Sequence, residues 1–318
     1  MTAIFLSEGD VRSVADMPLA LEAAERTFAE LASGSAVNIP RSRAAAPGIM
    51  LHSMSASSPG ALVLGTKTYA TTKEGAYFQV TLWDALSGRP LCIIEADYLG
   101  QLRTGAASGL ACRLMSNPES QVVGCLGSGQ QARTQLQAIC LSRPIDRIEV
   151  YSRNSERCLL FADEISQLCD VQTVAVHSPD EAASEKDIVV CATSSKTPVF
   201  QGAVLTPGTH LCVVGSNYRT KSEVDLETIR RSDWIVCDDL AGSRNEAGDF
   251  LSAIEAGCLE WSRVQELGKV LAGEQTGRAH EDDITLFKSV GLAIQDIILG
   301  MAIYERARDE GLGQKLPF

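Results

Sequence analysis

The chain has 318 residues, 45% of them apolar and 21% charged, and its 28 basic against 40 acidic side chains leave a formal charge of −12. A chain of this length buries enough apolar surface to need no staples, and its composition argues against disorder. A strongly negative chain with no basic run sets aside nucleic acid and anionic membrane surfaces as partners.

In chain order, residues 10 to 34 read as a helix, with apolar residues at Leu21, Ala24, Phe28 and Leu31 and a cap at Asp16 just before Met17-Pro18. Residues 38 to 100 hold short β-type runs at 49–51, 62–64, 77–83 and 91–94. The turn signals Pro59-Gly60, Glu74-Gly75 and Ser87-Gly88 separate them, so an antiparallel meander is predicted. Residues 99 to 115 turn helical and alanine-rich. From Gln121 strands alternate with amphipathic helices: strands at 122–126, 148–152, 171–176, 188–192, 211–215 and 234–237, helices at 130–140 and 155–168, and a short helical stretch after Ser178. That alternation predicts a parallel sheet covered on both faces. Residues 289 to 311 read as one last long helix.

The strongest motif is Gly127-Ser128-Gly129-Gln130-Gln131-Ala132, a G-x-G-x-x-A that follows the strand 122–126 and opens the helix 130–140. The first glycine makes the turn, the second admits a pyrophosphate, and the small third residue lets helix and strand pack. The helix N-terminus offers its free N–H groups to the phosphates. In this context the motif predicts a nicotinamide dinucleotide site. The second strand ends in Glu149-Val150-Tyr151-Ser152-Arg153, about 25 residues on, where an NAD site carries an acid for the adenosine ribose. Glu149 comes too early to serve. Ser152 and Arg153 could instead hold a 2′-phosphate, so NADP is preferred over NAD; Arg153 also reads as an exposed residue at the next helix. Thr193 and Ser194 end a parallel strand at the sheet edge where cofactors bind, and Val214 to Asn217 end the next.

Ten cysteines are scattered without a C-x-x-C pair and without a histidine at zinc-finger spacing, so they read as reduced structural thiols and no metal site is expected. No apolar run reaches about 18 residues, and MTAIFLSEGD has neither a basic n-region nor an apolar h-region, so a soluble cytoplasmic protein is expected.

Further blocks sit around these elements: Pro40-Arg41, Gly65-Thr66-Lys67, Leu102-Arg103-Thr104-Gly105, Ala192-Thr193-Ser194-Ser195, Gly208-Thr209-His210 with Gly215-Ser216-Asn217, and Thr285 to Gly291. Together with the glycine loop, in this order, the chain resembles the ornithine cyclodeaminase/mu-crystallin family over nearly its whole length. The resemblance implies an α/β protein with a Rossmann doubly wound parallel sheet, residues 118–289. An α+β substrate and dimerisation domain would be built from residues 1–117 with 290–318, in a homodimer. It implies chemistry at an imine next to a carboxylate, with nicotinamide C4 in van der Waals reach of the imine carbon. Arg41 and Arg103 become a carboxylate clamp, with Arg103 also against the cofactor, and Lys67 the catalytic cation that orients the carboxylate and moves a proton. Outside the resemblance each of these cations reads as a surface residue. Ser289 and Lys221 match cofactor positions, and Val290 and Asn217 substrate positions. His52 reads equally as a site or a core residue; His210 reads as structural, and His177 and His280 as surface residues.

Asn217 departs from the aspartate that true ornithine cyclodeaminases carry, and an amide cannot pair with an ammonium as a carboxylate does. The preferred expectation is NAD(P)H-dependent reduction of a small cyclic imino acid, 1-pyrroline-2-carboxylate or 1-piperideine-2-carboxylate, to the L-amino acid. An alanine-type or N-alkyl-amino-acid dehydrogenase, ornithine cyclodeaminase itself and a non-enzymatic NADPH-dependent binding protein follow in that order.

Overall fold

The computed structural model describes residues 2–317. In chain order it begins with β1 (Ile4–Leu6), α1 (Glu8–Val14), α2 (Met17–Ala32), β2 (Val37–Ala46), β3 (Ile49–Ser58), β4 (Val63–Thr71), β5 (Ala76–Asp84), β6 (Pro90–Glu95) and α3 (Asp97–Met115). Next come β7 (Val122–Leu126), α4 (Gln130–Cys140), β8 (Arg147–Tyr151), α5 (Ser155–Cys169), β9 (Gln172–Ala175), α6 (Pro179–Ala183), β10 (Ile188–Cys191) and β11 (His210–Val213). The last third holds α7 (Leu226–Arg231), β12 (Trp234–Cys237), α8 (Leu240–Glu246), α9 (Leu251–Glu255), β13 (Val264–Glu266), α10 (Leu267–Leu271), β14 (Thr285–Lys288), α11 (Ala293–Asp309) and β15 (Gln314–Lys315). The chain divides into two compact units, Met1–Arg103 with Leu292–Phe318, and Thr104–Gly291.

In the first unit seven strands form one sheet in the order β15-β1-β6-β5-β4-β3-β2. β2 to β6 are the antiparallel meander, and β1 joins β6 in parallel. The helix expected over 10–34 is two helices. The chain extends at Ala15 and Asp16, and the Asp16 carboxylate caps the Leu19 N–H at 2.8 Å, with Pro18 in the first turn where its missing N–H costs nothing. β2 was not expected, because Pro40 and its arginines break the apolar alternation. It lies at the sheet edge with a bulge between Ile39 and Ser42, the position in a sheet that tolerates proline. α11 begins at Ala293 rather than 289 and buries Ile294, Ile297, Leu299 and Ile303 fully. Each is worth about 1.5–3 kcal/mol, which offsets the cost of taking Gln295 and Asp296 inside with them. Gly65 lets this helix approach the sheet: a Cβ there would lie 2.5 Å from the Thr81 carbonyl oxygen and 3.1 Å from Ile297.

The second unit is an eight-stranded, wholly parallel sheet in the order β13-β12-β14-β11-β10-β7-β8-β9. From β7 the chain winds outward through β8 and β9, then returns to the other side of β7 at β10, so the strand order reverses beside β7. In doubly wound sheets ligands bind at that reversal, off the carboxyl ends of the strands. The unit boundary falls inside α3, after Arg103, and not at residues 117–118. The second half of α3 belongs with the parallel sheet, since Cys112 packs with Val123, Leu136 and Ile188, and a Cβ on Gly105 would collide with the Thr134 carbonyl.

Candidate active site

In the first unit Lys67 stands on the inner face of β4, alternating with Gly65 and Tyr69, and is 2% exposed. Its Nζ lies 2.5 Å from Asp296 Oδ1 in the first turn of α11, and Arg103 Nε lies 3.5 Å from Asp296 Oδ2. Arg103 also donates to Gln295 Oε1 at 3.1 Å. Burial pulls the Lys67 ammonium down to about 8; Asp296 opposes that, and Arg103 and Arg41 add to it. Two guanidinium groups and one carboxylate therefore act on one buried ammonium, an excess of positive charge that fits an incoming carboxylate. Arg41, at the β2 bulge, holds its guanidinium 5.9 Å over the Tyr69 ring. Tyr69 stacks on His52 at 4.1 Å and on Phe78 at 4.9 Å. His52 is fully buried, and burial with Arg43 and Arg41 pushes it down to about 4, so it is a neutral ring at pH 7 in hydrogen-bond contact with Thr71 Oγ1.

In the second unit the glycine loop follows β7. Gly127 has φ +118°, and a Cβ there would collide with the Ala192 carbonyl, so only glycine makes this turn. Nothing lies within 4 Å of where a Cβ on Gly129 would stand, and no side chain caps α4. The first-turn N–H groups beside Gln130, Gln131 and the buried Ala132 therefore have no intrahelical acceptor, and Gln131 Oε1 is buried with no hydrogen-bond partner among the described residues. These features fit a dinucleotide pyrophosphate. Ser128 Oγ donates to Ser152 Oγ at 3.0 Å, Arg153 is exposed, and Glu149 is bound back to Lys186 at 2.9 Å and Arg147 at 2.7 Å, away from the strand end.

The other expected residues of this unit cluster at the strand ends. Thr193 donates through N and Oγ1 to Glu223 Oε1 at 2.6 and 2.8 Å, and Gly215 N donates to Glu223 Oε2 at 2.6 Å, so one buried carboxylate ties β10 to β11. Ser194 is exposed beside it; Val214, Asn217 and Lys221 are half-buried on the loop after β11, with the Lys221 ammonium 5.4 Å from the Tyr218 ring. Ser289 gives its hydroxyl proton to Asp238 at 2.8 Å, and the backbone N–H groups of Val290 and Gly291 donate to the same carboxylate at 2.9 and 2.7 Å. This turn, not a helix, occupies residues 289–291. Behind it the wholly buried Lys288 pairs with Asp249 at 2.7 Å and donates to the Ser216 carbonyl oxygen at 2.8 Å.

Sequence reasoning missed Asp296, Gln295, Glu223, Asp249 and Lys288. A Gln-Asp pair in the first turn of an otherwise apolar helix was the available signal for the first two. The cysteine and histidine spacing also gave no metal constellation, yet the fold brings Cys112, His210 and Cys212 together, with one ligand atom from each within 4.8 Å of the others. A mutational consequence follows from Gly127. Gly127→Ala is expected to abolish dinucleotide binding, read as lost quenching in a fluorescence titration, while circular dichroism stays native; unchanged affinity would remove the loop from the cofactor site.

Residues 1–311 match the family model for the ornithine cyclodeaminase/mu-crystallin family. The chain belongs to this family. A Delta(1)-pyrroline-2-carboxylate reductase of Bacillus cereus is 35% identical over 240 residues, 75% of this chain and 74% of that protein. The structure of Thermococcus litoralis Delta(1)-pyrroline-2-carboxylate reductase in complex with NADH and L-proline is 33% identical and superposes with a TM-score of 0.95, covering 98% of this chain and all of that one. An archaeal alanine dehydrogenase dimer with bound NAD is 28% identical with a TM-score of 0.92, covering 100% of both chains. A doubly wound sheet in one unit and an antiparallel meander in the other are thus shared with dehydrogenases and reductases of this family.

Proposed function

We propose that this family member is an oxidoreductase that reduces a small cyclic imino acid, 1-pyrroline-2-carboxylate or 1-piperideine-2-carboxylate, to the L-amino acid. The observation that carries the proposal is the Lys67 cluster, a buried ammonium with two guanidinium groups and one carboxylate acting on it. A carboxylate beside a C=N bond is the substrate such a cluster fits: Arg41 and Arg103 grip the carboxylate, and Lys67 hands a proton to nitrogen as carbon receives hydride. A reduced nicotinamide dinucleotide, when bound, supplies that hydride. Asp296 holds the Lys67 ammonium in place and keeps its charged form favourable, and the proton handed over is replaced from solvent. The L-proline and NADH in the Thermococcus relative support both halves of the reading.

Purified protein mixed with 1-pyrroline-2-carboxylate is expected to oxidise NADPH faster than NADH, because Ser152 and Arg153 stand where an acid would repel the 2′-phosphate. Oxidation of NADH alone keeps the reduction and removes the phosphate role of Ser152 and Arg153. Oxidation of neither removes the substrate class. The alanine dehydrogenase relative favours one other reading, amination of an open-chain 2-oxo acid, which requires ammonia where cyclic-imine reduction does not.

The pH dependence follows from Lys67. Reduction uses its protonated form, so kcat/KM for the imine is expected to hold at neutral pH and to fall above about 8 as the ammonium empties. Oxidation of the amino acid needs the neutral amine and is expected to rise over the same range. Parallel profiles in both directions would sink the assignment.

We also read the chain as a homodimer that works in the cytoplasm. The sheet face opposite α11 exposes Val37, Ile39, Leu51 and Leu64 by 39–52%, an apolar surface suited to a second copy, and the alanine dehydrogenase relative is a dimer. Sedimentation of a monomer at micromolar concentration removes that reading. All ten cysteines are free thiols and no helix of the described residues is long and apolar enough to cross a membrane; recovery of the protein outside the cytoplasm on cell fractionation removes the placement.

A further inference from the structure

Cys112, His210 and Cys212 lie outside the groups assigned above, and each is fully buried in the parallel-sheet unit. Local geometry explains why they meet. Cys112 follows Ser108 by one turn of α3, so the two share a helix face. His210 and Cys212 are two apart on β11, so they share a sheet face.

Two of the three separations are those of a ligand set, and all three donor atoms lie within 4.8 Å of one another. Cys112 Sγ lies 3.8 Å from Cys212 Sγ, and Cys212 Sγ lies 3.4 Å from His210 Nε2. Around a tetrahedral zinc, with Zn–S about 2.3 Å and Zn–N about 2.0–2.1 Å, two sulfurs stand about 3.8 Å apart and sulfur and nitrogen about 3.5 Å. The imidazole is also set for coordination. Thr285 Oγ1 donates to the Met115 carbonyl oxygen at 3.0 Å, so at 2.8 Å it accepts from His210 Nδ1–H. That tautomer leaves the Nε2 lone pair facing the sulfurs, with the outer nitrogen hydrogen-bonded as in metal-binding histidines. The buried Ser108 hydroxyl stands beside Cys212 and has no other partner among the described residues, so an oxygen is at hand for a fourth position.

We propose that Cys112, Cys212 and His210 bind a zinc ion as a structural site. Each thiol releases its proton to solvent on binding, and nothing is oxidised or reduced. Two thiolates and a dication sum to zero, so the occupied site is neutral in an apolar interior that penalises net charge. Monovalent copper on the same ligands would leave the site negative. With all three ligands closed to solvent, the ion loads as the chain folds and clamps α3 to β11.

The full-length protein, produced with zinc in the medium and purified without chelator, is expected to carry about one zinc per chain by plasma mass spectrometry. The Cys112→Ala/Cys212→Val protein, checked for native circular dichroism, is expected to carry none. Wild-type chain refolded with cobalt in place of zinc is expected to show the intense thiolate-to-cobalt absorption, a readout that needs no variant to fold. Wild-type protein free of zinc both as isolated and after refolding with zinc overturns the proposal. So does full zinc in the folded double variant, a cobalt protein without the thiolate band, or a Cys112–Cys212 disulfide in the isolated protein.

Discussion

Replacing Lys67 by methionine is expected to lower kcat for imine reduction by about 10²–10⁴-fold, the usual contribution of a positioned proton donor. Methionine keeps most of the buried volume and removes only the ammonium. Dinucleotide affinity is expected to be unchanged, because the glycine loop belongs to the other compact unit. The substitution also takes from the fully buried Asp296 its close Lys67 partner and leaves the Arg103 guanidinium at 3.5 Å, so stability falls as well. The rate is therefore measured by single-turnover kinetics at a temperature where calorimetry shows the variant folded. Lys67→Arg keeps the charge, but a planar fork does not place one proton where a tetrahedral ammonium does, and it is expected to remain slow. Activity within an order of magnitude of wild type in the methionine variant would take Lys67 out of the reaction.

The largest loss of stability is expected from Asp249→Ala, about 3–5 kcal/mol in urea unfolding, because it leaves the Lys288 ammonium buried without its carboxylate. Asp249 Oδ1 also accepts the Glu223 N–H at 2.6 Å, and Glu223 in turn holds the backbone of Thr193 and Gly215. Dinucleotide affinity is therefore expected to fall together with stability. Asp249→Leu combined with Lys288→Met replaces the pair by apolar side chains of similar volume and is expected to recover most of the stability but not the affinity, since the Glu223 N–H and the Ser216 carbonyl lose their partners. A single variant within about 1 kcal/mol of wild type would mean that Lys288 finds another counter-charge.

Local chemistry made much of this protein legible before its structure. The strand 122–126, the glycine turn and the helix 130–140 appear at the expected residues, because each is decided by neighbours in sequence: an apolar run, a residue that must take positive φ, and a helix start. Asp16 caps α2 as its position before Met17-Pro18 implied. Where a signal depended on distant partners, reading failed. β2 loses its apolar alternation after Ile39 and is a strand because β3 pairs with it, and residues 289–291 leave the helical pattern because the Asp238 carboxylate, about fifty residues away, takes N–H groups there. α3 looked like a single element of one domain and is shared between two units.

The same division runs through the site. Arg41, Lys67 and Arg103 were singled out as residue types in blocks, but as a sequence they are three surface cations. Folding makes them a cluster: α11 carries Asp296 to Lys67 across a sequence separation of 229 residues, and the burial that results lowers the ammonium to about 8. His52 was undecided between site and core, and its stack on Tyr69 with its fall to about 4 makes it a neutral, ordered ring. Cys112, His210 and Cys212 show no ligand spacing along the chain and converge only when α3 packs on β11. The sequence by itself determined the glycine loop, the alternation that builds a parallel sheet and the inventory of cations, because turn conformation, hydrophobic period and charge are properties of short segments. Which carboxylate meets which cation, how far each group leaves water, and which sulfurs face a histidine were decided only by tertiary structure, since those depend on residues one or two hundred positions apart.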